Sequence, residues 1–285
     1  MTEPPAELQL VIESWQPTTE IVSGSLDSWR AQALCALLGR AALEQGDELP
    51  LSWHQLYLHQ VHSMSELGED GHREGGALMP PLKRGRRMFG GGRITQLKPL
   101  IIGETVTRTS SVLAQRLAHG RSGWLLFVTE SHNLSVAGEE RVREERDIVY
   151  RLPTDVKPSS EVTVETVDMR GDSVFKLDVD ERMLFSFSAL TYNAHRIHYD
   201  RPYAVDVERY RSLLIHGPLL AVAAVEAATR GRESRIDSMD FRLVAPAYVD
   251  SAVNFDVDDV DRNHSIVTGI QGAQMNIQAT VVWSW

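Results

Sequence analysis

The chain of 285 residues is 42% hydrophobic and 24% charged, which is the composition of an ordinary globular protein with one large domain or two modest ones. Its formal charge of −10 argues against general nucleic-acid binding, which depends on neutralising phosphates, but leaves room for an anionic small ligand. The single cysteine excludes an intrachain disulfide and a cysteine-rich metal site. No apolar run reaches membrane-spanning length and the first residues lack a signal-peptide pattern, so a cytoplasmic protein without a membrane partner is expected.

The first half of the chain is predicted to contain one helix followed by four strands. Apolar residues recur on one helical face over residues 28–43, with Asp27 as the candidate N-cap and Gly46 as the stop. The polar residues 68–81, which include several glycines and prolines, predict a mobile loop. Segments 88–97, 104–116, 124–134 and 141–151 are rich in Val, Ile, Thr and Phe and are separated by turn residues, which is typical of antiparallel strands.

The second half repeats this order of elements. Residues 153–161 include Pro153 and Pro158 and are typical of a linker. Two short strands are predicted within residues 162–179, then a helix over 181–191. A helix over 216–229 is apolar nearly all round and should be surrounded by sheet. Four strands follow at 234–243, 252–261, 265–272 and 274–283. The chain is thus predicted to hold two copies of one α+β fold, at residues 1–152 and 162–285.

Residues able to carry chemistry are concentrated in the sequence TYNAHRIHYD, at residues 191–200, directly after a predicted helix. A polar cluster in this position is expected to form a loop held against the core. His198 can accept or deliver a proton near neutral pH, whereas Asn193 can hold a water molecule but cannot take its proton. Asp200 is expected to cap the turn that follows it.

A second feature is the sequence His216-Gly217-Pro218 at the start of the apolar helix. Proline is favoured just inside a helix start, so Gly217 is expected at the helix N-terminus. Free backbone N–H groups and the positive end of the helix dipole lie there. Both stabilise negative charge as it develops on a thioester oxygen.

Together these two features resemble the hot-dog-fold hydratases and dehydratases of the MaoC and (R)-specific enoyl-thioester hydratase type. That family carries D-x-N-P-[IV]-H-x-D, followed downstream by H-G at the start of the central helix. Here Asn193 stands at the family's catalytic Asp, while Ile197, His198 and Asp200 match it, as does the pair at 216–217. The subgroup with N-x-H-R-I-H-Y-D is more similar still; it includes mesaconyl-C4-CoA hydratases, itaconyl-CoA hydratases and mitochondrial type 2 hydroxyacyl-thioester dehydratases.

The resemblance extends into the first half, where RRMFGGGR at residues 86–93 and KPLIIGE at 98–104 are similar to the subgroup's R-R-M-[WF]-x-G-G-R and P-L-x-x-G-[DE]. It implies a double hot-dog fold, in which two antiparallel sheets each wrap a central helix. The N-terminal half would be a non-catalytic partner of a catalytic C-terminal half. Arg86, Arg87 and Arg93 are expected either on a solvated face or in contact with CoA phosphates or a substrate carboxylate.

Roles in the second half are also implied by the resemblance. His198 would activate a water molecule for attack on the β-carbon, Asn193 would orient that water, and the Gly217 N–H would hold the thioester oxygen. Three further residues are expected to bind substrate or CoA: His195 in place of the family's Asn, Arg196 in place of its Pro, and His216. An alternative for His195 is that it only braces the loop. No cofactor beyond the CoA of the substrate is implied. A zinc site made from the three histidines lacks the support of an H-E-x-x-H motif or paired cysteines.

The predicted function is hydration of the C=C bond of a branched C5 dicarboxylyl-CoA, such as itaconyl-CoA or mesaconyl-C4-CoA, to give citramalyl-CoA. One alternative is an enoyl-CoA hydratase or 3-hydroxyacyl-thioester dehydratase acting on plain acyl chains. An alternative of another class is a non-catalytic acyl-thioester binder or a hot-dog thioesterase, for which Glu226 in the central helix is the candidate base. Assembly into a homodimer is left open.

Overall fold

The structure is a computed structural model that describes residues 3–82, 85–120, 123–152 and 174–284. The helices and strands of its first half are α1 (Ala6–Ser14), β1 (Glu20–Ser25), α2 (Ser28–Leu38), β2 (Arg86–Gln96), β3 (Thr105–Gly120), β4 (Gly123–Val136) and β5 (Glu139–Arg151). Those of its second half are β6 (Phe175–Leu177), α3 (Glu181–Leu190), α4 (Gly217–Thr229), β7 (Arg235–Leu243), β8 (Val253–Asp259), β9 (His264–Gln271) and β10 (Gln274–Ser284). The predicted linker at 153–161 lies outside the described residues, as does most of the predicted strand pair at 162–179.

Side-chain caps fix where the predicted helices begin. The Asp27 carboxylate accepts a hydrogen bond from the Arg30 N–H at the start of α2, which confirms the predicted N-cap. The predicted end of this helix at residue 43 was wrong, because Gly39 adopts a left-handed conformation (φ 65°) and ends the helix at Leu38. In the second half, α3 and α4 lie where the sequence predicts them.

All ten strands in the described ranges form one antiparallel sheet in the order β1-β3-β4-β5-β2-β7-β10-β9-β8-β6. The eight longer strands lie within a few residues of their predicted positions. Two separate sheets were predicted, but β2 of the first half pairs with β7 of the second, with Gly91 opposite Arg242 and Thr95 opposite Ser238. The two half-sheets are therefore joined edge to edge, and β2 places first-half residues beside the second-half helix.

The second-half helix α4 is surrounded as predicted. Nine of its 13 residues are buried, and they contact strands β6 to β10. This packing is part of the main apolar cluster, which also includes first-half residues such as Trp53 and Leu34. A smaller cluster lies beneath α1, where Leu8 and Val11 cover Leu126 of β4. Burial of this much apolar surface is the main stabilising contribution to the fold.

Two elements of the first half, α1 and β1, were not predicted from the sequence. Only Leu8 and Val11 of α1 are buried, so its apolar pattern is weak, and β1 is a six-residue edge strand paired with β3 alone. The division into halves at 1–152 and 162–285 stays a prediction. None of the helices in the described ranges is both long enough and apolar enough to cross a membrane.

Candidate active site

The loop that follows α3 is held by its own polar groups. The Asn193 backbone N–H donates to the Ser188 carbonyl (2.9 Å), and the Asn193 side-chain oxygen accepts from the His195 backbone N–H (3.0 Å). The Asn193 oxygen is therefore used by the loop itself, and the amide NH₂ is the end of this side chain that can donate to a bound group. Asp200 accepts from the Tyr203 N–H (3.1 Å), so the predicted cap of that turn is confirmed.

His198 lies in a three-residue 3₁₀ turn (Arg196–His198) and is 7% exposed. Its Nδ1 is 2.9 Å from the Leu214 carbonyl oxygen, which can only accept, so Nδ1 carries the hydrogen and Nε2 is the basic nitrogen. Burial lowers the pKa of His198 to about 4, against the raising effect of the Leu214 hydrogen bond. The ring is therefore neutral near pH 7, with a lone pair available on Nε2.

His216 stacks on His198, with ring centroids 3.7 Å apart and an interplanar angle of 18°. Its Nε2 is 2.8 Å from the Ser188 hydroxyl, and its buried Nδ1 has no hydrogen-bond partner among the described residues. Burial and the neighbouring His198 hold the pKa of His216 well below its usual range. This ring supports His198 from the side of α4, and both rings stay neutral.

Gly217 is the first residue of α4, with His216 as its N-cap. The first intrahelical bond runs from the Leu220 N–H to the His216 carbonyl (3.1 Å), so the N–H groups of Gly217 and Leu219 precede any helical acceptor. A Cβ at Gly217 would lie 2.5 Å from Leu243 Cδ1 and 2.9 Å from Phe89 Cδ1. A larger residue would therefore displace the side chains of Leu243 and Phe89, which pack against the helix start from β7 and β2.

A loop of the first half lies across this motif. The Arg196 N–H donates to the Asp70 carbonyl (2.9 Å), and a Cβ at Gly71 would lie 1.9 Å from the Ala194 carbonyl oxygen. These contacts place His72 against the motif loop: its ring centroid is 3.9 Å from that of His195. His72 Nδ1 is also 2.9 Å from Asp70 Oδ2. The position of Asp70 and His72 beside the motif loop was not predicted from the sequence, because residues 70–72 and the motif loop are far apart along the chain.

His195 connects His72 to the rest of the cluster. Its ring lies edge-on to His198 at 5.5 Å, so four histidine rings run in the order His72, His195, His198, His216. Burial lowers the pKa of His195 far below its usual value, and the positive fields of its neighbours, including Arg87, add to this. A buried histidine between two others stays neutral for this reason.

A cavity of about 650 Å³ opens between the two halves beside this cluster. His72 and Asn193 line it, as does Pro218 at the start of α4, and the other three histidines lie further from it. Its opposite wall is formed by Arg87, Glu130 and Arg146 of the first-half sheet, together with residues of the loop around His59. A cleft of this size, mostly apolar with a few convergent polar groups, is suited to a small-molecule substrate.

The charged wall of this cavity is paired only in part. Glu144 is 1% exposed, with Arg146 at 2.7 Å and His54 Nε2 at 3.0 Å. Arg87 is 3.9 Å from the nearest Glu130 oxygen, beyond hydrogen-bond length. The Nε atoms of Arg87 and Arg146 have no hydrogen-bond partner among the described residues. Both guanidinium groups line the cavity, where their positive charge can attract an anionic ligand.

Most of this wall was not predicted from the sequence, although its charged residues on β5 follow a period-two pattern. Alternate residues of β5 point to one face, where Val142, Glu144, Ile148 and Tyr150 are buried and Arg146 is half-buried. Charged residues in the same alternating frame as buried apolar ones indicate a polar interior wall. Arg87, which was predicted from its motif, reaches this wall from β2.

The other predicted cationic residues pair elsewhere. Arg86 binds Glu208 (2.6 Å), and Arg93 binds Glu145 (2.7 Å) and Asp147 (2.8 Å). Neither lines the cavity. Arg196 binds Asp200 (2.7 Å) and donates to the Glu69 carbonyl (3.0 Å), so it fastens the first-half loop to the motif loop.

Glu226, the candidate base of a thioesterase, lies near the end of α4 outside the cavity lining, where Arg40 donates to it (2.7 Å). Within the described ranges, the one group of side chains close enough to share a cation is Asp70, His72 and His195, with ligand atoms within 4.8 Å of one another. The Asp70–His72 hydrogen bond already accounts for two of these atoms. The trio of His195, His198 and His216 does not form such a group.

Comparison with known proteins identifies the class and the family. The profile of the family described as hydroxyacyl-thioester dehydratase type 2 matches residues 52–249. A mesaconyl-C(4)-CoA hydratase from Chloroflexus aurantiacus is 38% identical over 237 residues, covering 82% of this chain and 84% of the relative. A solved MaoC-like dehydratase from Phytophthora capsici superposes with a TM-score of 0.70 at 11% identity, covering 97% of each chain. A Mycobacterium tuberculosis protein described as a double hotdog fold gives 0.57 at 11% identity, covering 96% of this chain and 98% of that one.

The fold is thus that of a double hot-dog protein of the MaoC-like class, and the predicted α+β double hot-dog is confirmed. The chain belongs to the hydroxyacyl-thioester dehydratase type 2 family. It is accordingly a hydro-lyase, an enzyme that adds water to an acyl thioester or removes it, as the sequence predicts.

Proposed function

We propose that the chain hydrates the C=C bond of a branched C5 dicarboxylyl-CoA, mesaconyl-C4-CoA or itaconyl-CoA, to give citramalyl-CoA. The observation that carries this proposal is the presence of two guanidinium groups, Arg87 and Arg146, in the lining of the cavity that also holds Asn193 and His72. The mesaconyl-C(4)-CoA hydratase among the relatives supports the same substrate class.

A dicarboxylyl substrate suits the charges of this cavity. In mesaconyl-C4-CoA the free carboxylate is attached to the β-carbon, the atom that water attacks, so a cation is needed close to the reacting atoms. Arg87 is the candidate for this cation, since it lines the same cavity as His72 and Asn193. Arg146 lies on the same wall, and together the two can take both oxygens of one carboxylate.

The thioester end of the substrate is directed to the start of α4. The Gly217 N–H, with that of Leu219 beside it, holds the thioester oxygen as negative charge moves onto it. His198 Nε2 takes a proton from the attacking water. The NH₂ of Asn193 donates to that water and holds it in place, because the Asn193 oxygen is already bonded within the loop.

A substrate comparison tests the proposal. The purified chain is assayed with mesaconyl-C4-CoA, itaconyl-CoA and crotonyl-CoA at equal concentrations, by chromatographic separation of each acyl-CoA substrate from its hydrated product. We expect kcat/KM to favour a dicarboxylyl substrate over crotonyl-CoA by at least about 10-fold, since a charge-assisted hydrogen bond contributes about 1.5–3 kcal/mol. Preference for crotonyl-CoA would overturn the proposal and favour the plain-chain alternative.

Two arginine variants sharpen this comparison. Arg87→Gln should lower kcat/KM for the dicarboxylyl substrate by about 10- to 100-fold and leave that for crotonyl-CoA nearly unchanged. The matched control is Arg93→Gln, on the same strand, because Arg93 pairs with Glu145 and Asp147 outside the cavity lining. Equal losses with both substrates in Arg87→Gln would contradict a role in carboxylate binding.

The remaining expectations about assembly and location have no observation of their own. The homodimer and the cytoplasmic location stay predictions, and so does the non-catalytic status of the N-terminal half. The thioesterase alternative has lost its supporting feature, since Glu226 is bonded to Arg40 and does not line the cavity.

A further inference from the structure

Hydration of a C=C bond moves two protons: one leaves the water as its oxygen bonds to the β-carbon, and one is delivered to the α-carbon. Asn193 stands where the resembled family has a catalytic acid, and an amide cannot take part in either transfer. We propose that His72, oriented by Asp70, is the second proton-transfer group of this active site. The N-terminal half would then supply a catalytic side chain, in contrast to the non-catalytic partner that the sequence predicts.

The first support is the position of His72. It is the one member of the four-ring cluster that lines the cavity, and its ring lies 3.9 Å from His195, which in turn lies 5.5 Å from His198. His72 and Asn193 share the cavity wall. A substrate that reaches Asn193 therefore also comes within reach of His72.

The second support is the orientation of the ring. Asp70 Oδ2 lies 2.9 Å from His72 Nδ1, and an ionised carboxylate only accepts hydrogen bonds, so Nδ1 carries a hydrogen. Nε2 is left to exchange a proton. The side chain of His72 is 20% exposed, enough to meet a ligand while the rest of the ring is packed. A carboxylate that orients a histidine and stabilises its protonated form is a recurring arrangement in proton-transfer enzymes.

The third support is that the loop is fastened to the motif by contacts that do not involve the His72 side chain. Arg196 holds it through the carbonyls of Glu69 and Asp70, and Gly71 packs against Ala194. The Asp70 carboxylate accepts from the His72 backbone N–H (2.9 Å) as well as from the ring, so it fixes the turn and the ring together. Two other ionisable groups on the cavity wall are bonded elsewhere: Glu130 to His132 (3.2 Å), and the Tyr199 hydroxyl to the Ala194 carbonyl (3.0 Å).

The proposed steps conserve atoms and charge. His198 Nε2 removes one proton from the water as its oxygen bonds to the β-carbon, and the C=C electron pair moves into an enolate held at the start of α4. Protonated His72 then gives its Nε2 proton to the α-carbon. The proton on His198 returns to His72 through solvent, so that one water molecule has been added and both histidines are restored. Dehydration follows the same steps in reverse.

The charges around His72 tune this transfer. Burial is the largest effect and, with Arg87 of β2, holds the pKa of His72 below its usual value, although Asp70 raises it; His195 packs on the ring from the motif loop. A substrate carboxylate bound to Arg87 would offset the effect of that cation and favour protonated His72. This last coupling rests on the proposed function, whereas the role of His72 requires only a hydro-lyase that uses His198.

The test uses the full chain with His72→Gln, Asp70→Asn, His59→Gln and His264→Gln. His264 is the control outside the cavity, because its ring pairs with Asp261 at the surface. His59 lines the same cavity with a buried Nε2 that has no partner among the described residues, yet it lies outside the chain of rings. We expect His72→Gln to lower kcat by about 10²- to 10³-fold with KM changed by less than about threefold. Asp70→Asn and His59→Gln should lower kcat less than His72→Gln does, and His264→Gln should stay within about threefold of wild type.

The pH profile of hydration separates a proton-transfer role from a structural one. Hydration needs His198 neutral and His72 protonated, so the rate should fall as pH rises through the pKa of His72. That fall should be absent in His72→Gln and should begin at lower pH in Asp70→Asn, because the carboxylate no longer favours the protonated ring. In His72→Ala, added imidazole should restore part of kcat, which it would not do for a structural residue.

Three outcomes would overturn this inference. The first is a folded His72→Gln protein with wild-type kcat and an unchanged pH profile. The second is imidazole rescue of His59→Ala but not of His72→Ala. The third is loss of wild-type activity with a chelator and its return with zinc, which would make Asp70, His72 and His195 metal ligands. Wild-type turnover in His198→Ala would instead defeat the proposed chemistry of the site, so the two failures are distinguishable.

Discussion

Both halves of the chain place a helix against antiparallel strands, yet the two helices differ in length and in what surrounds them. In the second half, α4 has 13 residues, nine of them buried, and apolar strands surround it. In the first half, α2 has 11 residues and only three are buried. The sheet face beside it carries Glu130, Glu144 and Arg146, which are replaced by apolar packing in the other half.

This difference shows how the two halves share one site. The second half can hold buried, neutral histidines at the start of a long apolar helix, where a thioester oxygen can be stabilised. In the first half, a charged wall takes the place of part of the apolar core, and the loop with Asp70 and His72 contacts the motif loop of the second half. Because β2 pairs with β7, the charged wall and the helix start face the same cavity. Neither half alone contains both the cations and the helix terminus.

The largest effect is expected from His198→Ala, which removes the proton carrier of the second half. We expect kcat to fall by about 10³- to 10⁴-fold and KM to change little, since His198 acts on the water during the reaction rather than in binding. The matched control is His264→Ala on β9, whose ring pairs with Asp261 at the surface. Steady-state kinetics with the best substrate, together with circular dichroism to confirm folding, would measure both. An active, folded His198→Ala protein would place the proton carrier elsewhere.

Much of the second half was predictable because its patterns are local. The apolar residues of α4 and the alternation of β7 to β10 lie within single elements, and His198 and Gly217 lie in motifs of a few residues. In the first half, α2 was predicted too long because the left-handed conformation of Gly39 outweighs the apolar residues that follow it.

The first-half part of the site was less accessible to sequence reasoning. Asp70 and His72 lie in a loop without periodicity, and their place beside His195 depends on contacts such as that between Arg196 and Asp70, across more than 100 residues. No spacing in the sequence encodes such a contact. The motif arginines show the same limit: Arg87 and Arg93 lie on one strand, yet one lines the cavity and the other pairs outside its lining.

The next largest effect is expected from Gly217→Ala, which tests the helix start. The added Cβ would meet Leu243 Cδ1 at 2.5 Å and Phe89 Cδ1 at 2.9 Å, so either these side chains or the first turn of α4 must shift. We expect about 1–3 kcal/mol of lost stability and a fall in kcat of about 10²-fold as the oxyanion donor moves. Adding Leu243→Ala removes the closest contact and should restore part of both. If kcat in Gly217→Ala stays at the wild-type level, the thioester oxygen is held by another group.

Two buried groups, His198 of the second half and Glu144 of the first, should contribute to stability in different pH ranges. Burial lowers the pKa of His198 to about 4. Between about pH 6.5 and 4 this histidine is therefore protonated in the unfolded chain but neutral in the folded one. Stability therefore falls as pH drops through this range, by about 3 kcal/mol from this group. In the first half, burial raises the pKa of Glu144, but Arg146 and His54 hold it well below its usual range. Its contribution is present above about pH 4.3 and is lost only at lower pH.

Urea unfolding at a series of pH values would measure these two ranges. His198→Gln should flatten the dependence between about pH 6.5 and 4, whereas Glu144→Gln should flatten the part below about pH 4.3. Glu144→Gln should also lower stability near pH 7, because Arg146 would lose its carboxylate partner. Identical pH dependence in both variants would show that these groups do not set the acid stability of their halves.

The smallest effect is expected from Glu226→Gln, at the end of α4 away from the cavity. Burial raises the pKa of Glu226 and Arg40 lowers it, and the pair is partly exposed at the surface. We expect kcat/KM to stay within about twofold and stability within about 1 kcal/mol of wild type, as for other partly exposed ion pairs. Hydratase activity and the release of free CoA, followed with a thiol reagent, are measured on both proteins. CoA release by the wild type that disappears in Glu226→Gln would revive the thioesterase alternative, because it would show that the far end of α4 carries a catalytic base.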